Sequence, residues 1–334
     1  MISIMTNIEL AELVENTNMY DIAEKTIRNL DMSNNETQVA EQLDAHFRDI
    51  GKRGVDADHE VAAFIQKVIN DELYNTPDEL LDAIFERGTI NEGDDFQGIF
   101  APKNKLVAYE AGKGGNVDRS YIDISVMAPK WHNKQIESDI SYADLSRNGW
   151  KTVALYTDYA IAALKNTMFA DIFTDIAATI TSGDNYIDGN ASSPTQAEAD
   201  QMVLYIQDRA ESGDGIIVGH SNYIQKFSKM TGFNSQEMLN EIHRTGRLGM
   251  YDGVSLFPIS RSKKLGNGTA MLPAGKVFGI AGKCGVLNMK GDVTVYQTMD
   301  NNKEQIHLLF KNFTYGYAFN NAAIDKIVVL DCNA

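Results

Sequence analysis

The stretch GDGIIVGHSNY, Gly213–Tyr223, carries an apolar run into Gly219-His220-Ser221, as the nucleophile elbow of an α/β hydrolase does. An elbow needs small residues on both sides of the serine so that a strained strand-to-helix turn can expose the hydroxyl. The closing position here is Tyr223 where the motif requires glycine. A catalytic triad would continue to an acid and then a histidine, for which His243 and His307 are available. The hydrolase sheet also needs about five parallel strands, several of them before the elbow, and upstream of Ser221 the sequence predicts helices and a hairpin. The context instead favours a strand ending at Val218 and a helix from about Asn222 with Ser221 as its cap.

The 334 residues, 43% of them hydrophobic, can bury a sizeable core in one elaborated domain or two. Cys284 and Cys332 stand far apart, without metal-type spacing, which fits a chain without a disulfide framework in a reducing compartment. The N-terminus MISIMTNIELAEL has no basic region followed by an apolar core, and no run approaches the roughly 20 apolar residues of a membrane span. These features predict a soluble protein kept in the cytoplasm.

The net charge of −16 is unevenly placed: residues 1–95 hold 22 Asp+Glu against 7 Lys+Arg. Such a segment repels phosphate, which argues against sequence-specific nucleic-acid binding and leaves a solvated helical face or a protein partner. Three helices are predicted in it. One is capped by Ser33 with Glu36, buries Val39, Leu43, Phe47 and Ile50, and ends at Gly51. A second carries Val61, Phe64, Ile65, Val68 and Ile69 on one stripe. A third has Thr76 as cap, Pro77 in its first turn, Glu79 completing a box and Gly88 as its stop.

Beyond residue 95 the character turns to β. Strands Lys105–Glu110 and Ser120–Val126 flank the Gly-rich turn AGKGGN, 111–116, and a lone two-stranded hairpin is marginal in water. A long helix is predicted over Thr157–Ile180 with Ile161, Leu164, Met168 and Ile172 on one stripe, then a helix capped by Ser193, Pro194 and Gln196 reaching about Glu211. Short elements follow: strand Gly215–Val218, helices Asn222–Met230 and Ser235–His243, a turn at YDG, and strands in GKVFGIAG, DVTVYQTM, QIHLLFKNFTYGYAF and DKIVVL.

No further chemistry emerges. The six histidines, at 46, 59, 132, 220, 243 and 307, show no i,i+4 metal spacing and no neighbouring Cys pair, so no metal site is expected. AGKGGN lacks the GK[ST] entry into a helix that a phosphate cradle needs, and RSKK, 261–264, fits a solvated loop. No catalytic residue and no cofactor is predicted.

A helical arm, an exposed hairpin, one long helix and a compact α/β portion, in that order, resemble the major capsid proteins of tailed bacteriophages, the Hong Kong 97-like fold, over about residues 55–330. LVAYEAGKGGNVDRSYIDIS, 106–125, is similar to the extended loop that reaches over a neighbouring subunit. APKW, 128–131, resembles the passage back into the peripheral domain, and Thr157–Ile180 its spine helix. IIVGHSNYIQKFSKM, 216–230, is similar to the strand-then-helix step of the axial domain. GRLGMYDGVSLFPIS, Gly246–Ser260, with its Gly-x-Leu-Gly, turn and apolar strand, is the most specific match, and AAIDKIVVL, 322–330, resembles the closing strand.

The resemblance implies an α+β capsid fold divided into an acidic helical arm (1–95), an extended β-hairpin loop (96–128), a peripheral domain with spine helix (129–190), an axial domain (191–310) and a return to the peripheral domain (311–334). It implies a non-enzymatic protein that assembles with itself, as hexamers and pentamers, into an icosahedral virion shell enclosing double-stranded DNA, made in the bacterial cytoplasm. Portal, scaffold or protease, and decoration proteins would be its partners. Residues 1–55 are expected to act as a built-in scaffold or enlarged arm, and Lys113 lies at the loop tip from which some relatives cross-link to an Asn. An encapsulin-type nanocompartment shares the fold, and a serine hydrolase using Ser221 is the remaining alternative.

Overall fold

The computed structural model describes residues 18–54, 60–75, 78–91, 93, 99–104, 106, 120, 122–127, 129–189, 193–210, 215–227, 229–230, 249–260, 268, 270–300, 303–319 and 324–332. The expected helix 235–243, the hairpin tip 111–116 with Lys113, the cluster 261–264, Thr76 and Pro77 lie outside them. The chain divides into two compact units that interleave in sequence. The first comprises Met1–Pro77, His132–Lys165 and Met289–Tyr315, the second Asp78–Trp131, Asn166–Asn288 and Gly316–Ala334.

Helices α1 (Met19–Arg28), α2 (Asn34–Arg53) and α3 (Glu60–Asn70) open the chain, and a π turn at Asp71–Asn75 follows. α2 starts on the predicted capping box, Ser33 and Glu36 each bonded to the other's backbone. Lys25 reaches Asp21 in its own helix and Glu36 in α2, both at 2.7 Å. That bond to Lys25, and then the cap at Ser33, hold the Glu36 carboxyl down at about 2. α4 (Glu79–Ile84) is capped by Asp78, which accepts from the amides of Leu80 and Leu81. It ends without the predicted stop, because Gly88 lies inside strand β1 (Phe85–Ile90).

β2 (Ile99–Asn104) and β3 (Ile122–Met127) form an antiparallel hairpin in which Ile99 faces Met127 and Asn104 faces Ile122. The predicted strand Lys105–Glu110 lies, apart from Leu106, outside the described residues. β4 (Lys130–Ser141), α5 (Tyr142–Asn148) and α6 (Trp150–Thr179) follow. At 30 residues, α6 is about 45 Å long, and the predicted stripe Ile161, Leu164, Met168 and Ile172 is buried. Next come β5 (Tyr186–Asp188), α7 (Gln196–Arg209), β6 (Gly215–His220) and α8 (Ser221–Phe227). The box that caps α7 is Thr195 with Glu198, not Ser193. Strands β7 (Met250–Tyr251), β8 (Val254–Ile259), β9 (Lys276–Ala281), β10 (Gly285–Lys290), β11 (Thr294–Asp300), β12 (Gln305–Phe319) and β13 (Ile327–Asp331) complete the chain.

In the first unit the acidic helices form the core. Trp150, 2% exposed, stacks on Phe47 of α2 at 6.1 Å and meets Phe64 of α3 edge-on at 5.5 Å. Its indole N–H donates to Thr26 Oγ1 of α1 at 3.1 Å, and its backbone N–H to Asp44 Oδ1 of α2 at 3.2 Å. Asp44 thus caps α6 from 106 residues away, satisfying an N–H that a helix start leaves open. Gly51 does not end α2; it lies inside the helix, where a Cβ would come within 2.8 Å of the Leu145 carbonyl carbon in α5.

α3 also closes a sheet edge. β11 pairs with β12 on one side. Across from it the side chain of Gln66 accepts from Val295 N–H at 2.9 Å, and Asn70 both accepts from and donates to the backbone of Val293. Covering an edge in this way removes a template for unwanted pairing. Within this unit β12 pairs with β11 and also with β4.

The second unit is built on a six-stranded sheet, β5-β13-β9-β6-β8-β7. All six residues of β6 are buried. Met202, Val203 and Ile206 of α7 and Tyr223, Ile224 and Phe227 of α8 share one apolar cluster with Ile217, Val277 and Val328 of the sheet. The sheet is mixed: β6 runs parallel to β8 and β13 to β5, whereas β9 is antiparallel to both β6 and β13. The predicted YDG turn joins β7 to β8 through Asp252 and Gly253, both at positive φ, as a tight hairpin requires. The final strand, expected as the return to the peripheral domain, lies between β5 and β9.

Two consequences can be measured. An interior Gly→Ala change usually stabilises a helix by roughly 0.5–1 kcal/mol, but Gly51→Ala is expected to destabilise by about 1–3 kcal/mol through overpacking against α5, read as a lower Tm; an unchanged or raised Tm contradicts that packing. Trp150→Ala is expected to cost about 3–5 kcal/mol. A chain beginning at residue 56 should then be recovered only as aggregate, since it lacks Thr26, Asp44 and Phe47.

Candidate assembly surface

Ser221 is the first place to look for chemistry. β6 extends through His220, so Ser221 is the first residue of α8 and not its cap. Positive φ among described non-glycine residues occurs at Asn29, Asp252, Glu304 and Asn312, so Ser221 lacks the strained turn of an elbow. His307 belongs to the first unit, where its Nδ1 lies 2.7 Å from Asp139, and His243 is outside the described residues. His220 is buried with Nε2 3.3 Å from the Leu272 carbonyl. The mixed sheet is not the hydrolase's parallel one.

Burial drives both cysteine thiols up to about 12, far from nucleophilic. No group of His, Cys, Asp and Glu among the described residues could hold a metal ion. No described helix is long and apolar enough to cross a membrane. A cleft of about 910 Å3 in the second unit is lined by Glu79, Asp82, Lys283 and Lys326 among apolar and small residues, with no histidine or cysteine.

What the second unit does present is the hairpin. Among the described residues β2 and β3 make a sheet only with each other, and Leu106 and Ile122 are 55% and 49% exposed. Its two feet, by contrast, are held firmly. Fourteen residues before β2, at the start of β1, Phe85 is buried, with ring centroids 6.3 Å from Tyr317 and 5.4 Å from Phe319. Cys284 N–H donates to the Ile84 carbonyl at 2.8 Å. On the exit side Lys130 Nζ lies 2.6 Å from both carboxylate oxygens of Asp175 in α6, and the Tyr317 hydroxyl donates to the same carboxylate. Burial, then Asp175, pushes that hydroxyl well above its ordinary pKa, so it stays a donor. Trp131 lies flat over Gly316, where a Cβ would be 2.6 Å from the ring. A rigid base thus carries a two-stranded element that has too little surface to stabilise itself.

The charge excess lies just before the hairpin in sequence. Residues 18–54 hold seven acids and five bases, many joined in pairs such as Arg28–Glu24, Arg48–Asp44 and Arg53–Asp49. Residues 55–95 hold 12 acids and two bases, so the excess is concentrated in the segment leading into the hairpin. Sequence reasoning missed Asp175 and Tyr317, the residues that clamp Lys130, because they lie 45 and 187 positions after it.

A family model described as "SPbeta prophage-derived putative capsid protein YonB" matches residues 5–318. No curated protein matches the chain. Among solved structures, the capsid of an empty GTA particle aligns over 75% of this chain and 88% of its own, at 10% identity and a TM-score of 0.53. A structure of Gordonia phage Cozz aligns over 75% and 85%, at 10% identity and a TM-score of 0.52. The holo-SrpI encapsulin from Synechococcus elongatus PCC 7942 aligns over 78% and 89%, at 14% identity and a TM-score of 0.43. A family match over nearly the whole length, on a fold shared with phage capsid subunits, establishes that the chain belongs to the YonB family of prophage-derived capsid proteins and has the Hong Kong 97-like fold.

Proposed function

We propose that this capsid protein is the major shell subunit of a phage-type particle, assembling with itself through hexamers and pentamers into an icosahedral wall around double-stranded DNA. The observation that carries the reading is the hairpin, firmly footed yet paired only with itself among the described residues. Head-to-tail contacts that satisfy such an element on each neighbour close into rings. In this reading the unit with the six-stranded sheet supplies the axial domain, α6 the spine and β2–β3 the extended loop. The acidic segment discourages adhesion of the wall to packaged DNA. The subunit needs no catalytic residue or cofactor. It assembles in the bacterial cytoplasm and resides in the virion, with portal, scaffold or protease, and decoration proteins as its partners.

Size-exclusion chromatography and negative-stain electron microscopy of the purified full chain test this. Closed shells, rings of five or six, or tubes are expected; a monodisperse monomer or dimer across salt conditions contradicts self-assembly. Particles carrying nucleic acid fit a virion shell, and particles enclosing a protein cargo would instead identify a nanocompartment. Ser221→Ala is expected to leave particle yield unchanged and to abolish no ester hydrolysis; loss of an esterase activity would overturn the non-enzymatic reading.

A further inference from the structure

His46 is 1% exposed in the middle of α2, an unusual place for a titratable ring. Its Nε2 lies 2.9 Å from Glu60 Oε2, at the start of α3. The other Glu60 oxygen is 3.5 Å from Arg53, and Arg53 is 2.8 Å from Asp49. The charged groups acting on the ring are therefore Glu60 from α3 and Asp49 and Arg53 from its own helix. Phe47 lies edge-on to it at 5.4 Å and Phe64 of α3 packs on Phe47, so ring and carboxylate sit beside the aromatic core that joins the two helices.

Both ring nitrogens and Glu60 Oε2 are enclosed and without a hydrogen-bond partner among the described residues, so the 2.9 Å approach is a charge contact without hydrogen-bond geometry, and Nδ1 has no charged group of those residues beside it at all. In the neutral tautomer that points its proton at Glu60, Nδ1 is an unfilled acceptor. In the imidazolium both nitrogens are donors, and Nδ1–H would be a buried donor with no acceptor, which is costly. Burial accordingly lowers the proton affinity of the ring, and Arg53 adds to this, while Glu60 and Asp49 oppose it.

We infer that buried His46 is an acid-sensitive latch: α2 stays packed on α3 while the ring is neutral, and the packing loosens on protonation because the cost of burying the charged ring with an unsatisfied Nδ1 outweighs its added attraction to Glu60. The sign follows from linkage. A group whose folded pKa lies below its unfolded value of about 6.5 contributes stability that is present above that value and lost as the pH falls toward the folded one.

The experiment uses the full chain. Thermal unfolding of wild type and His46→Gln is compared from pH 7.5 to 5.0, with amide exchange followed in 34–53 and 60–70. Wild type is expected to lose several degrees more than the variant below about pH 6.5, with exchange rising first in α2 and α3. Parallel curves for the two proteins overturn the latch. If His46→Gln does not fold, hydrogen exchange at the C2 position of the wild-type ring, read by mass spectrometry, decides. A midpoint below about 6.5 supports the latch; one at or above it overturns it, as does an acceptor for Nδ1 supplied by residues 55–59. None of these readouts requires shells, so the latch and the assembly reading fail separately.

Discussion

The seat of Trp150 is the constraint on which the first unit depends. One residue follows the turn at Gly149, begins the long helix, and touches each of the first three helices. Its two N–H groups find acceptors on α1 and α2, and its ring lies between Phe47 and Phe64. Burying an indole without a partner for its N–H would be costly, so Thr26 and Asp44 matter as much as the aromatic contacts. The consequence is that the acidic N-terminal helices are not an appendage. They complete the core around the start of α6, and α3 then closes the β11 edge with its Gln66 and Asn70 amides.

The hairpin is the opposite case. Aromatic packing at Phe85, Tyr317 and Phe319, and the Lys130–Asp175–Tyr317 group, fix where its strands leave the second unit. Beyond those feet only the β2–β3 ladder is present among the described residues. Under the proposed function, a folded base with a two-stranded projection suits a shell subunit, whose projection would gain its packing from a neighbour.

Much of this was legible in the sequence where the signal is local. The Ser33–Glu36 box, the stripe on α6, the YDG turn and the strands β11 and β12 all depend on residues within a few positions of each other, and all were read correctly. The failures share one cause. Gly51 reads as a helix stop, yet it serves close approach to α5, 94 positions on from it at Leu145. The start of α6 was placed seven residues late because its capping carboxylate belongs to α2. β4 went unseen because its polar sequence pairs with β12, near the other end of the chain. Gly-His-Ser invites a nucleophile, but Tyr223 already breaks the elbow motif, and the sheet's mixed direction and the unstrained backbone at Ser221 agree with that reading. The order of parts, more than any single motif, carried the family resemblance.

The account separates a core that the subunit completes alone from a hairpin that only a neighbour completes. Amide hydrogen exchange measured on the free subunit and on assembled particles tests that separation directly. It predicts strong protection of residues 34–53 and 150–165 in both states, and protection of 99–104 and 122–127 that rises sharply on assembly. Hairpin protection already high in the free subunit, or unchanged in the particle, would contradict it.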